Sequence, residues 1–271
     1  MIASDCTAFL QWALPQLELH WPGFRRVRRQ VCKRLAQRLR ELGLGNFADY
    51  RARLEADPTE WRVLDECCHI TISRFFRERS VFEILRTRVL PEIAARAERE
   101  GRNALIWSAG CASGEEPYTI KILWDLEVTK AGPAVALTMI ASDVDTAMLA
   151  RAREGCFRLT SLHELPAPLV EQAFERTGPL YCVKSKHRQG IDFLDQDLRS
   201  EMPRHRFDLI LCRYVAFTYF AAPLQRKVMA GMLERLRLNG FFVIGAKERL
   251  PGVVPELVSP FSGVQVFRKI V

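Results

Sequence analysis

The stretch that decides the fold is Ala104 to Tyr118, ALIWSAGCASGEEPY. Ala104 to Trp107 are apolar without a break and read as a short, fully buried strand. Ser108 to Gly114 form a turn of small residues, and Glu115, Glu116 and Pro117 then open a helix. Proline suits a first helical turn, and acids there suit the positive end of the helix dipole. A strand feeding a glycine-bearing turn and a helix is how α/β sheets hold a nucleotide-like ligand at their carboxyl ends.

The turn also narrows the ligand. A dinucleotide site asks for GxGxxG and a P-loop for GxxxxGK[ST]. Here Gly110 and Gly114 enclose Cys111, Ala112 and Ser113, and no lysine follows. Phosphate cradling is poorly supported. A ligand with adenosine and a carboxylate but no phosphate fits better, and S-adenosyl-L-methionine is the common one. An ordinary strand–turn–helix without a ligand would show the same pattern.

Working outward, the C-terminal part alternates strands and helices. Strands are expected over Val135 to Ser142, Ile191 to Leu194, Phe207 to Cys212, the FFVIGA run and Val264 to Lys269, with helices over Thr146 to Arg153 and Leu224 to Leu238. Such alternation implies an α/β fold, a Rossmann-like, mostly parallel sheet covered on both faces. The first hundred residues instead read as helices. Apolar residues at Val27, Val31, Leu35 and Leu39 keep helical spacing, Asn46 can cap the next helix, and Thr59 to Ile72 form another. The expected organisation is a helical N-terminal domain over 1–78, a linker helix over 79–103 and an α/β domain over 104–271, with an irregular inserted subdomain at 155–190.

Composition bounds the rest. With 271 residues, 48% hydrophobic and 27% charged, the chain can bury a large core. No apolar run reaches the roughly 18 residues of a bilayer span, and MIASDCTAF has no basic flank ahead of an apolar core, which speaks against a signal peptide. Eight cysteines scattered through strands and helices are expected to be reduced, cytoplasmic thiols. The net charge of +8 gathers at Arg25, Arg26, Arg28, Arg29, Lys33, Arg34, Arg38 and Arg40. This cluster either meets an anionic partner or is a solvated helix face. Cys67, Cys68 and His69 lack a spaced second pair, so a zinc site is not expected.

Strand ends supply the candidate ligands. Asp143 ends the second strand beside the glycine turn, where an acid can accept from ribose hydroxyls. Asp197, just after the third strand, is placed to accept from an adenine amino group. Arg213 and Tyr214 leave the fourth strand toward the same edge. Each of these could also be a strand-end polar residue that meets only water.

These residues resemble a known family. Ser73-Arg74-Phe75-Phe76-Arg77-Glu78, then WSAGCASGEEPYTI, then Ala141-Ser142-Asp143-Val144-Asp145, then FDLILCR look like the chemotaxis receptor methyltransferases of the CheR type. The resemblance covers nearly the whole chain. It implies a helical N-terminal domain, a methyltransferase domain with an inserted antiparallel subdomain, and methyl transfer from S-adenosyl-L-methionine to receptor glutamates, leaving S-adenosyl-L-homocysteine. By resemblance, Arg77 would reach over the cofactor with Thr71 and Ser73 nearby, and Glu116 would contact its methionine or ribose part beside Gly110. Asp143 would hold the ribose, Asp197 and Leu198 would flank the adenine, and Arg213 and Tyr214 would lie beside the methionine end. The implied partner is an acidic protein, a chemoreceptor helical bundle meeting the basic helix Arg25–Arg40, in place of nucleic acid or a membrane.

Departures from the family bear on the acceptor. The family asparagine and threonine before the FFRE arginine are here Thr71 and Ser73. Where the family reads CRNVxIYF this chain has CRYVAFTYF, with Tyr214 in place of asparagine. The tyrosine near the transferred methyl corresponds to Thr218 or Tyr219, and Tyr219 is the better match. Lys247 and Glu248 stand in the GHSE-like stretch, and the Phe174 to Tyr181 loop is short, which disfavours tethering to a receptor's terminal peptide. Two alternatives stay open: a methyltransferase of the same fold acting on a small molecule, peptide or other protein, and a non-catalytic module that binds S-adenosyl-L-methionine.

Overall fold

A computed structural model describes residues 2–271. The chain packs into two units: Met1–Ile70 with Thr218–Arg226, and Thr71–Phe217 with Lys227–Val271.

The first unit is helical: α1 (Ile2–Ala13), α2 (Arg28–Glu41), α3 (Phe47–Ala56) and α4 (Glu60–Cys68). The apolar stripe of α2 does what its spacing requires, since Val31, Leu35 and Leu39 are buried. Asn46 caps α3 by accepting from the Asp49 amide at 2.9 Å. Phe9 packs on Phe47 and Tyr50, with ring centroids 5.0 and 5.6 Å away. The buried Glu60 accepts from Arg38 at 2.7 and 2.9 Å and from the Tyr50 hydroxyl at 2.8 Å. The Arg38 bond is the main reason the Glu60 carboxyl sits below the usual carboxylate range. The helix expected to reach Ile72 stops at Cys68, where Arg34 donates to the carbonyls of Cys67 and His69.

The second unit is built on a seven-stranded sheet. Its strands are β1 (Ala104–Ala109), β2 (Leu137–Asp143), β6 (Ile191–Asp195), β7 (Phe207–Leu211), β8 (Leu236–Val243), β9 (Leu257–Val258) and β10 (Val266–Lys269), in the order β6-β2-β1-β7-β8-β10-β9. The pairs from β6 to β8 are parallel, and β10 is antiparallel to both β8 and β9. From β1 the chain winds outward through β2 to β6, then returns to β7 on the other side. The strand order therefore reverses between β1 and β7, the place where such sheets open a crevice. A second sheet, β3 (Cys156–Arg158), β5 (Leu180–Val183) and β4 (Phe174–Thr177), forms the inserted subdomain, and Thr177 pairs with Leu180 across a tight turn.

Three expectations change on packing grounds. The helical run α5 (Arg79–Ile84), a wide turn Leu85–Val89 and α6 (Leu90–Arg99) is no linker, because Val81, Phe82, Leu85, Val89, Leu90 and Ile93 are buried in the core of the second unit. Residues Thr71 to Glu78 also fall in this unit. Phe75 packs on Phe157 and Phe174 of the inserted subdomain at 4.8 and 5.3 Å. The expectation of eight free thiols is corrected as well. Cys6 is bonded to Cys32, and Cys156 to Cys182, which sits directly opposite it in the β3–β5 register. Sequence spacing could not show either pair, since both depend on which elements become neighbours. Cys67, Cys68, Cys111 and Cys212 form no disulfide.

The remaining helices are α7 (Glu115–Leu123), α8 (Thr146–Glu154), α9 (Ala167–Ala173) and α10 (Ala222–Arg235). The last helix ends at Arg235, and Asn239-Gly240 lies inside β8 where its register with β7 shifts. Among the described residues no helix is long and apolar enough to cross a membrane.

Candidate active site

The glycine turn after β1 is built by close approach. A Cβ on Gly110 would lie 2.3 Å from a Val215 methyl, and its φ of +81° is costly for any other residue. The amides of Gly110 and Cys111 both donate to the Ser142 carbonyl, which fixes the turn against the end of β2. Gly114, at φ +92°, turns the chain into α7. Ala112 is also left-handed, and its amide donates to Asp143 at 2.7 Å. The second Asp143 oxygen accepts from the Asp145 amide at 2.9 Å. Two backbone donors thus hold this carboxylate in place.

On the other side of the switch point stands Glu116. It accepts from the Ser108 hydroxyl at 2.7 Å and from Arg213 at 2.9 Å. Arg213 also donates to the Arg77 carbonyl at 2.7 Å and to Glu78 at 2.9 Å, while its Nε is buried without a partner. Burial pulls the Arg213 guanidinium down, but the charges of Glu116 and Glu78 outweigh it and hold the pKa above its ordinary value. Arg213 is therefore a fixed cation that ties the loop carrying Arg77 to the sheet edge.

Glu78 is the residue sequence reasoning passed over. Its carboxylate accepts from Arg213, from the Tyr214 hydroxyl and from the Ala246 amide at 3.0 Å. Burial raises its pKa, and these three donors together more than reverse that rise. Glu248 does similar work, accepting from the amides of Tyr214 and Gly245 at 2.8 and 2.7 Å. The only signal for Glu78 was its place at the end of the FFRE block.

Backbone strain collects here. Among the described residues six non-glycine residues have positive φ, and four of them are Phe76, Glu78, Ala112 and Tyr214. Such conformations persist where surroundings over-determine them, and they cluster at functional sites.

Arg77, Glu116, Asp143, Gly110, Arg213 and Tyr214 are brought to one edge, the carboxyl ends of β1, β2 and β7. Asp197 leaves the neighbouring β6, whose following residue Gln196 donates to the Asp143 carbonyl at 3.1 Å. Its carboxylate is engaged by Arg199 at 2.7 to 3.0 Å. Leu198 is buried. Thr71 and Ser73 precede Arg77, which donates to the Ile72 carbonyl at 2.7 Å. Tyr219 belongs to the first unit, where its ring lies 4.9 Å from Phe24 and its carbonyl accepts from His20 at 2.7 Å. Thr218 is its neighbour there, and its carbonyl oxygen lies 2.0 Å from where a Gly23 Cβ would sit. Cys111 is buried, and burial pushes its thiol well up, which leaves it a packing residue.

The donor set fits S-adenosyl-L-methionine. The turn presents carboxylates at Glu116 and Asp143 and brings no lysine, so it suits ribose hydroxyls and positive groups and repels a diphosphate.

Comparison with known proteins agrees with this geometry. Residues 71–264 match the family described as "CheR methyltransferase, SAM binding domain", and residues 27–65 match "CheR methyltransferase, all-alpha domain". The chain belongs to the CheR methyltransferases. This CheR methyltransferase is 35% identical to chemotaxis protein methyltransferase 2 of Pseudomonas aeruginosa, over 80% of its own length and 77% of that protein. It is 34% identical to a probable chemotaxis protein methyltransferase of Rhizobium etli, over 82% and 84%, and 32% identical to the Escherichia coli chemotaxis protein methyltransferase, over 82% and 76%. It is an S-adenosyl-L-methionine-dependent methyltransferase with an α/β, Rossmann-like catalytic domain.

Proposed function

We propose that this methyltransferase esterifies glutamate side chains on a chemoreceptor-type acidic helical protein in the cytoplasm. The observation that supports it most is the acidic, phosphate-free cradle at the switch point, in which Arg213 holds Glu116 and the Ala112 amide holds Asp143. Bound there, S-adenosyl-L-methionine supplies an activated methyl for an in-line displacement, so catalysis is mostly positioning. In our reading Asp143 takes the ribose hydroxyls, Glu116 the methionine or ribose part, and Asp197 with Leu198 the adenine. Thr71, Ser73, Gly110, Arg213 and Tyr214 line the rest. Arg77 is assigned to the reacting end, and Tyr219 is taken, by resemblance, as the counterpart of the family tyrosine. A glutamate acceptor is ionised at neutral pH, with an ordinary pKa of about 4.3, and asks for no general base.

The acceptor is read from charge. Arg25, Arg26, Arg28, Arg29, Lys33 and Arg40 are exposed, while Arg34 and Arg38 of the same cluster are spent on the fold. Six cations on one segment suit an acidic helix.

A second reading keeps the reaction and changes the acceptor to another protein, a peptide or a small molecule. The tight β4–β5 turn favours it, because it leaves no long loop there for a tether. Incubation with labelled S-adenosyl-L-methionine and receptor cytoplasmic fragments separates the two. Label released as methanol by mild base supports the receptor reading. Base-stable label, or label that never enters the receptor, overturns it.

A further inference from the structure

We propose that Tyr214 is a positioning residue for Arg77, its ring serving as the platform on which the guanidinium is laid. The Arg77 guanidinium carbon lies 4.2 Å from the centroid of the Tyr214 ring, within the range where a cation is drawn to an aromatic face. The platform is itself held on three sides. The Tyr214 hydroxyl donates to Glu78, its amide donates to Glu248, and the ring passes so near Gly245 that a Cβ there would meet it at 2.7 Å. Its backbone stands at φ +59°, which a bulky side chain adopts only under constraint.

The arrangement is a closed circuit. Glu78 follows Arg77 in the chain, so the carboxylate that anchors the ring also anchors the loop that carries the guanidinium. Arg213 closes the circuit by donating to both the Arg77 carbonyl and Glu78. A long arginine side chain loses rotamer freedom when it is fixed. Stacking on a pre-set ring lowers that loss at the moment of binding. An asparagine at 214, as the family usually has, offers no such surface, so this chain orients Arg77 by its own means.

The inference rests on the cofactor reading above, in which Arg77 reaches over the ligand, and its test has two readouts. The first needs no ligand: in the whole protein, the Arg77 side-chain NMR resonances carry a ring-current shift that Y214A removes and Y214F keeps. The second is calorimetry with S-adenosyl-L-homocysteine on wild type, R77A, Y214A, Y214F and R77A/Y214A, with thermal unfolding of each as the folding control. Y214A weakens binding about 2- to 30-fold, the worth of one such stack. Y214F recovers most of that loss, and Y214A adds little once Arg77 is gone. Strictly additive losses, or a Y214F as weak as Y214A, overturn the proposal. A wild type that shows the ring-current shift but binds no S-adenosyl-L-homocysteine overturns the cofactor reading instead and leaves the platform standing.

Discussion

Arg213 and Glu116 stand 97 positions apart in the chain and meet at 2.9 Å across the switch point of the sheet. One leaves β7 and the other opens α7, so their contact joins the two windings of the fold at the place where such sheets open a crevice. The pair is nearly dry, with the arginine side chain 4% exposed and the glutamate 13%. A buried pair of this kind is far more sensitive to losing one partner than an exposed one.

Glu116→Gln is expected to weaken S-adenosyl-L-homocysteine binding by about 10- to 100-fold, the worth of a hydrogen bond to a charged group. Calorimetry checks it, with circular dichroism to confirm the fold. A change under about twofold would contradict the role given to Glu116.

Gly110→Ala places a methyl 2.3 Å from Val215 at a φ of +81°. We expect a loss above about 1 kcal/mol and a melting point lower by several degrees. Adding Val215→Ala removes the atoms that the new methyl meets first and recovers part of the loss, leaving the backbone strain. If the double variant melts no higher than G110A, the close approach is not the cause.

Asp208 supplies a pH prediction. It is fully buried at the start of β7 and accepts from Arg102 at 2.7 Å twice, from Arg96 at 3.1 Å and from the Leu105 amide at 3.0 Å. Burial raises its pKa, and these donors reverse the rise and hold it below the ordinary carboxylate value. A depressed folded pKa means that its stabilisation is complete above the unfolded value of about 3.9 and fades as pH falls through the folded one. Asp208→Asn should therefore be less stable at neutral pH by about 3–5 kcal/mol. Its stability should also fall less steeply between about pH 4 and pH 2. Denaturant melts across that range decide it, and an unaltered acid slope would count against the assignment.

Thiol titration tests the cysteine pairing. Protein purified without reductant and then denatured should yield four thiols, and eight after reduction. Each bond joins cysteines 26 positions apart, so reduction should cost about 3 kcal/mol apiece and lower the melting point. Eight thiols in unreduced protein would show that the pairs are not bonded.

Much of the architecture was readable from residue patterns. An unbroken apolar run at Ala104 to Trp107, small residues after it and acids opening a helix amount to a parallel strand at a ligand edge. The 3.6-residue spacing in Val31, Leu35 and Leu39 defines a buried helix face. These are local properties, set by backbone geometry and by which side chains avoid water. The nature of the ligand followed in the same way, because the turn has carboxylates where a phosphate site needs a lysine.

Only the tertiary structure decided the partnerships. Arg34 and Arg38 read as two more surface cations until the carbonyls at the end of α4 and Glu60 were seen to take them. Glu78 had no visible task until the chain ends of β7 and β8 arrived beside it. The cysteine pairs, the boundary after Ile70 and the ring beneath Arg77 belong to the same class. Each depends on which distant segments become neighbours, and sequence order carries no distance information across a fold held by long-range contacts.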